Sequence, residues 1–337
     1  MSARKFQQGL TLIELMVAMV LGLIVIAGVV SVLVSNKNGY RTNEGLSQVQ
    51  ETARTAFELI ARDVRQAGGT GCDNARRMSN VLNTGTEWWL TWASILGFDG
   101  GVDDPAVTEG TAVSNRVSTT DSLHLMGIDG AMLPIASHNA ASGVLRINTA
   151  VATPFAAGDI MMVCDFDHSA TFQASAYDGT AFTVTHGAGT GTPGNCSQGL
   201  GFPQDCTSTT GNVYTFPQNS QIGRLYAVDW YVGNNGRDAE GGRSLYRVRL
   251  GTNGAMTTEE IVSGVINMQI RYGVNGSPTI GTATSLVGAA AWAPVSSVFI
   301  TLTVRSADQR ITTDATLNQG RIERKFTYVI TMRNRVP

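Results

Sequence analysis

The first nine residues, MSARKFQQG, are polar and carry Arg4 and Lys5. From Leu10 to Val34 the chain is apolar, with a single charge, Glu14, in 25 residues and no proline. This exceeds the ~20 apolar residues that cross a hydrocarbon core as a helix, so the pattern predicts a membrane-spanning segment. Beyond it, Leu46, Val49, Ala53, Ala56, Phe57, Ile60 and Val64 recur at spacings of three and four, with Glu51, Arg54, Glu58, Arg62 and Arg65 between them. That is an amphipathic continuation with one face turned to a core. Glu58 stands four residues before Arg62, the favourable order for an ion pair on a helix. Gly68-Gly69 supply a stop, and the helix is expected to end near Ala67. Asn36, Asn38, Gly39 and Gly45 make residues 35–45 its weakest stretch, where a local break is expected. Unbroken from Leu10, it would be on the order of 85 Å long at 1.5 Å per residue.

After Cys72 the period changes. Short apolar runs alternate with clusters of Gly, Asn, Asp and Pro, which read as strands and turns. Expected strands are 122–128, 143–148, 159–165, 171–176, 182–185, 225–232, 244–250, 268–274, 295–305 and 323–333. The last two alternate most regularly, with Val298, Ile300, Leu302 and Val304 on one face, and Phe326, Tyr328, Ile330 and Met332 on one face of the other. They are expected to pair antiparallel and to pack on the amphipathic half of the helix. Residues 73–120 and 187–211 read as long loops. The fold class is therefore α+β, a long N-terminal helix on an antiparallel sheet head with long loops. The expected division is a leader at 1–9, a membrane or fibre-core helix half at 10–34, an amphipathic half at 35–67 and a β-rich head at 68–337.

Composition sharpens this picture at two points. Only 15% of the residues are charged and 38 of 337 are Gly, which favours a turn-rich, strand-rich body. The net charge of −2, with 24 scattered Lys and Arg, gives no global attraction to nucleic acid. Four cysteines, Cys72, Cys164, Cys196 and Cys206, fit no metal-binding spacing and point to two disulfides in an oxidising compartment. Cys196 with Cys206 would close a small loop and leave Cys72 to meet Cys164. The two other connectivities stay open.

Glu14 is the residue with the most to explain. A carboxylate at this depth costs ~2.5–3.5 kcal/mol on insertion scales, which calls for a partner or a function. Cleavage after Gly9 would create an α-amine on Leu10, and such an amine on a neighbouring subunit is a matching cation. The charges flanking the apolar run, Arg4 and Lys5 against Lys37 and Arg41, do not decide its orientation. The segment Gly9-Leu10-Thr11-Leu12-Ile13-Glu14-Leu15 resembles the prepilin signature of type IV pilins and type II secretion pseudopilins. The resemblance implies that a prepilin peptidase cuts after Gly9 and methylates Leu10, which stands where Phe is usual. It also implies that Glu14 guides entry into a fibre. The proline that kinks many major pilins is absent, and Gly22 and Gly28 offer flexibility in its place.

A second set of segments resembles PilW-type minor pilins: Ala61-Arg62-Asp63-Val64-Arg65-Gln66-Ala67-Gly68, Gly71-Cys72, Ser244-Leu245-Tyr246-Arg247, the run from Glu260-Ile261-Val262 to Tyr272-Gly273, and Met332-Arg333-Asn334-Arg335. This implies a type IV pilin-like fold and a low-copy subunit that initiates the pilus with other minor and major pilins and a tip-associated adhesin-like partner. The protein would sit in the inner membrane by a single pass with its head in the periplasm, then in the pilus at the cell surface. The competing readings are a pseudopilin of the J kind and a fibre-displayed adhesin or DNA-binding subunit. In the last reading Trp88, Trp89, Trp92, Trp230 and Tyr231 are stacking surfaces, against their alternative role as core.

Catalytic and metal signatures are missing. The chain has no HExxH, no Walker A loop, no GxSxG and no CxxC, and no enzymatic activity, cofactor or metal is expected. The loop Gly187-Ala188-Gly189-Thr190-Gly191 is followed by no helix-forming sequence that would make it a phosphate cradle. Cys164 with His168 provides two ligands only, and Asp103-Asp104 and Asp165 with Asp167 lack the pattern of a calcium loop.

Overall fold

The structure, a computed structural model, describes residues 11–69, 72, 77–148, 155–189, 191–312 and 317–335. The expected leader, Gly9 and Leu10 lie outside the described residues. One helix, α1 (Leu12–Gln66), runs for 55 residues, about 82 Å at 1.5 Å per residue. Thr11 caps it, and Ala67 ends it with its N–H on the Asp63 carbonyl. The expected break at 35–45 does not occur. The two Asn and Gly39 there are solvent-exposed and helical, while Gly45 is buried where a Cβ would lie 2.6 Å from Ile311 Cδ1. Its glycine thus serves close packing rather than a bend. The expected ion pair also changes partner. Glu58 accepts from Arg54 at 2.9 Å, while Arg62 turns toward the Asp63 carboxylate at 3.9 Å.

The apolar stripe of the second half of α1 does what its spacing predicts. Val49, Ala53, Ala56, Ile60 and Val64 are fully buried, and Leu46 and Phe57 pack against the same core. The small residues at 53 and 56 let the helix lie close to the strands, and Phe57 stacks on Tyr328 with ring centroids 3.9 Å apart.

Among the described residues the head holds two sheets. A 4-stranded antiparallel sheet runs in the order Ile280–Gly281, Val265–Val274, Val295–Arg305, Glu323–Thr331. As expected, its last two strands pair antiparallel and present Val298, Ile300, Leu302, Val304 and Ile330 to the core beneath α1. The second sheet has 11 strands, built around Ser122–Asn139 and Gln221–Asn234. Its pairs are antiparallel except Arg77–Asn80 with His168–Gln173. Strand alternation sends Leu123, Leu125, Val228 and Trp230 toward α1, while His124, Met126, Ala227 and Asp229 face the other way. A separate core of Ile135, Leu145, Phe172, Val184 and Phe216 fills the part of the head formed by residues 133–222.

The span 73–120, expected to be loop, contains the strands Arg77–Asn80 and Ile95–Phe98. Both are short edge strands whose only order comes from a partner far along the chain. Met256–Ser263 was likewise unexpected, and it pairs with Arg243–Leu250. Disulfides join Cys72 to Cys164 and Cys196 to Cys206.

Candidate assembly interface

The first half of α1 packs against no other described element of the chain. Every residue from Thr11 to Tyr40 is exposed, and the 17 large apolar side chains from Leu12 to Val34 stand at 49% exposure or more on all sides of the helix. Burying such side chains is worth about 1.5–3 kcal/mol each, so this segment leaves on the order of 30 kcal/mol unrealised in water. Only lipid or other apolar helices can accept a surface that is apolar all round. The span from Leu12 to Val34 is about 34 Å long, enough for the ~30 Å hydrocarbon core.

Glu14 sits in the first turn of this segment. Its Oε2 accepts the Thr11 N–H at 3.3 Å and the Thr11 hydroxyl at 3.1 Å, while its own N–H donates to Thr11 Oγ1 at 3.4 Å. This reciprocal capping box satisfies two amides that would otherwise be orphaned in an apolar medium. An acidic group here also complements the positive end of the helix. Thr11 and Glu14 are thus one local unit, a relation implicit in their spacing of three that the sequence reading did not draw.

The other end of α1 is clamped to the head by polar contacts that the sequence did not disclose. Asp63, 1% exposed, accepts the indole N–H of the fully buried Trp230 at 3.0 Å, and Arg247 Nη1 lies 3.7 Å from the same oxygen. Arg247 is held in turn by Glu259 at 2.7 Å and lies over the Trp230 ring at 5.4 Å. Gly68 N–H donates to the Met126 carbonyl at 2.8 Å. Asn334 donates to the carbonyls of Gln66 at 3.4 Å and Ala67 at 3.3 Å. Arg335 binds Ser94 and the carbonyls of Trp292 and Ala293. The segments 61–68, 244–247 and 332–335, far apart in sequence, therefore meet at one junction.

The remaining candidate residues have ordinary structural places. Asp165 accepts the N–H groups of Asp167 and His168 and the Tyr214 hydroxyl, and Asp167 pairs with Arg77 at 2.8 Å, so this pair builds a turn rather than a cation loop. Asp104 lies instead beside His124 and Asp229, a grouping no local spacing announces. Trp89, Trp230 and Tyr231 are buried, and Trp88 and Trp92 are half-buried against a core. All five pack against cores of the head.

Two family models match the chain. Residues 4–30 match the prokaryotic N-terminal methylation motif, and residues 229–334 match type IV pilus-assembly protein W. No curated protein matches it. A solved structure of a type IV-like pilin from Thermus thermophilus is similar at 9% identity, over 86% of this chain and 98% of its own, with a TM-score of 0.33. That superposition is too loose to carry an argument. The second match contains Trp230, Arg247 and Asn334, which hold the C-terminal end of α1, and the first contains Glu14 and most of the apolar run. Over these two stretches the chain is similar to type IV pilus-assembly protein W and to proteins that carry the prokaryotic N-terminal methylation motif.

Proposed function

We propose that this protein is a minor pilin that helps initiate type IV pilus assembly by packing the first half of α1 among the equivalent helices of other pilins. The reading rests on one observation above the rest. A helix half with about 34 Å of exposed apolar surface stands on a head to which its other half is clamped. Such a device delivers a folded head to a helical bundle and contributes no chemistry of its own. Before assembly the same segment anchors the chain in the inner membrane, with the head in the periplasm, where both disulfides are stable. Prepilin peptidase would cut after Gly9 and methylate Leu10. The new amine would then lie beside Thr11, and in the fibre Glu14 would exchange part of its capping role for the amine of a neighbouring subunit.

Mass spectrometry of the N-terminal peptide, from the native host with and without prepilin peptidase, tests the processing step. A chain beginning at methylated Leu10 only when the peptidase is present supports it, and an intact leader defeats it. For the assembly step, Glu14→Ala should be cleaved normally yet be recovered from sheared pili at least about tenfold less than wild type, given the cost of an unmatched charge in an apolar bundle. Undiminished recovery would remove the charge-pairing argument.

A further inference from the structure

On the face of the large sheet turned away from α1, His124 and Asp229 are direct cross-strand partners, and Asp104 reaches them from the loop that follows Phe98. Their side chains are 3%, 0% and 0% exposed respectively. His124 Nε2 lies 2.7 Å from Asp104 Oδ1 and 3.6 Å from Asp229 Oδ1. The rings of Trp88 and Phe98 cover His124 at 4.2 and 4.7 Å. Asp104 is firmly held, accepting also from the Ser122 hydroxyl and, at 2.8 Å, from the Ala106 N–H. Asp229 is not: neither of its carboxylate oxygens has a hydrogen-bond partner.

That orphaned carboxylate needs an explanation, because a buried charge without partners is heavily penalised. The adjacent buried cation, Arg116, does not supply one. Its N–H groups go to the carbonyls of Thr120, Val102, Asp99 and Phe98. Burial, reinforced by the charge of Asp104, pushes the Asp229 carboxyl well above the ordinary carboxylate range. A cation removes the penalty at both oxygens at once.

We propose that Asp104, His124 and Asp229 form a structural zinc site. The three donor atoms lie within 4.8 Å of one another. Donors around a tetrahedral zinc with bonds of about 2.0–2.1 Å stand about 3.3 Å apart, and the 2.7 and 3.6 Å spacings bracket that value. Asp229 would bind through one or both of its oxygens, and His124 through Nε2 in the tautomer that carries its proton on Nδ1. The donor set and the lack of space select the ion. Calcium requires six to eight oxygens at longer distances, magnesium keeps an octahedral shell with waters, and an imidazole beside two carboxylates in a dry, closed site suits zinc. The ion would tie the strands Ser122–Asn139 and Gln221–Asn234 to the loop carrying Asp104, and so fix the layer behind Trp230 and the α1 clamp.

The test uses the full chain in detergent, free of any polyhistidine tag. It is expressed with zinc in the medium because a buried site fills during folding, then dialysed against metal-free buffer. Elemental analysis should find about one zinc per chain, and removal by a chelator under mild denaturant should lower the thermal midpoint until zinc is returned. Asp229→Asn, which keeps shape and loses charge, and His124→Gln should each hold at least about tenfold less zinc while retaining the near-ultraviolet circular dichroism of a folded head. Folded wild type without zinc overturns the assignment. So does zinc that persists in folded Asp229→Asn, or that disappears from His138→Gln instead, which would place it at His138 and His186, buried with their Nε2 atoms 2.9 Å apart.

Discussion

Replacing Asp63 by Ala isolates the contact that fixes the helix to the head. The wild-type carboxylate is buried, receives the Trp230 indole N–H at 3.0 Å and stands 3.7 Å from Arg247. Removing it leaves the indole N–H buried without an acceptor, a loss of about 1–3 kcal/mol. Arg247 keeps Glu259, so little is added from that side. The expected total is a destabilisation of about 2–3 kcal/mol, against about 1 kcal/mol for Asp63→Asn, which keeps an acceptor. Trp230→Phe removes the donor, and in that background Asp63→Ala should cost about 2 kcal/mol less than it does alone. Urea unfolding of the detergent-solubilised full chain, followed by near-ultraviolet circular dichroism, gives the four corners of the cycle. Hydrogen exchange should show the amides of 57–67 losing protection in Asp63→Ala while 20–30 are unchanged. A coupling below about 0.5 kcal/mol would mean that the clamp is apolar packing alone and that the polar junction has no energetic role.

The buried pair His138 and His186 makes the head sensitive to acid. Their Nε2 atoms are 2.9 Å apart and His138 Nδ1 accepts the Phe216 N–H, so His138 carries its proton on Nε2 and donates to His186. Burial lowers His138 to about 4, and burial with the neighbouring imidazole lowers His186 to about 3. Both lie below the unfolded value of about 6.5, so their contribution is complete above that pH and is lost as pH falls toward 4, by about 2 kcal/mol per imidazole at pH 5. Urea midpoints measured from pH 7 to 5 should fall in wild type and flatten in His138→Phe/His186→Leu; equal slopes would refute the assignment. The two disulfides should differ in worth. Cys72–Cys164 closes a separation of 92 residues and Cys196–Cys206 one of 10. Loop-closure entropy assigns them about 4–5 and about 2–3 kcal/mol, so the paired Ala variants should differ in urea midpoint in that order, and a reversed order would count against the chain-entropy account.

The stripe from Leu46 to Val64 and the alternating strands near 295–305 and 323–331 were legible because each carries its own period, and burial of one face follows from the period alone, while the N-terminal apolar run was legible from its length. The prepilin-like segment was legible because the methylation motif that residues 4–30 match is a short stretch of local sequence. Three things were not. The strands Arg77–Asn80, Ile95–Phe98 and Met256–Ser263 owe their extension to distant partners, and their own residues do not alternate clearly. Ser122–Asn139 runs through Gly127, Gly130 and Pro134 with a register shift between Asp129 and Leu133, where local signals indicate a stop. Asp63 with Trp230, and Asp104 with His124 and Asp229, stand far apart in the chain and meet only when α1 and the two sheets close. The sequence by itself determined which segments would be helix, anchor and principal strands, because backbone geometry sets those periods locally. Tertiary structure alone decided which buried polar groups would face one another, because that pairing is set by strand register and helix docking between residues that no local interaction relates.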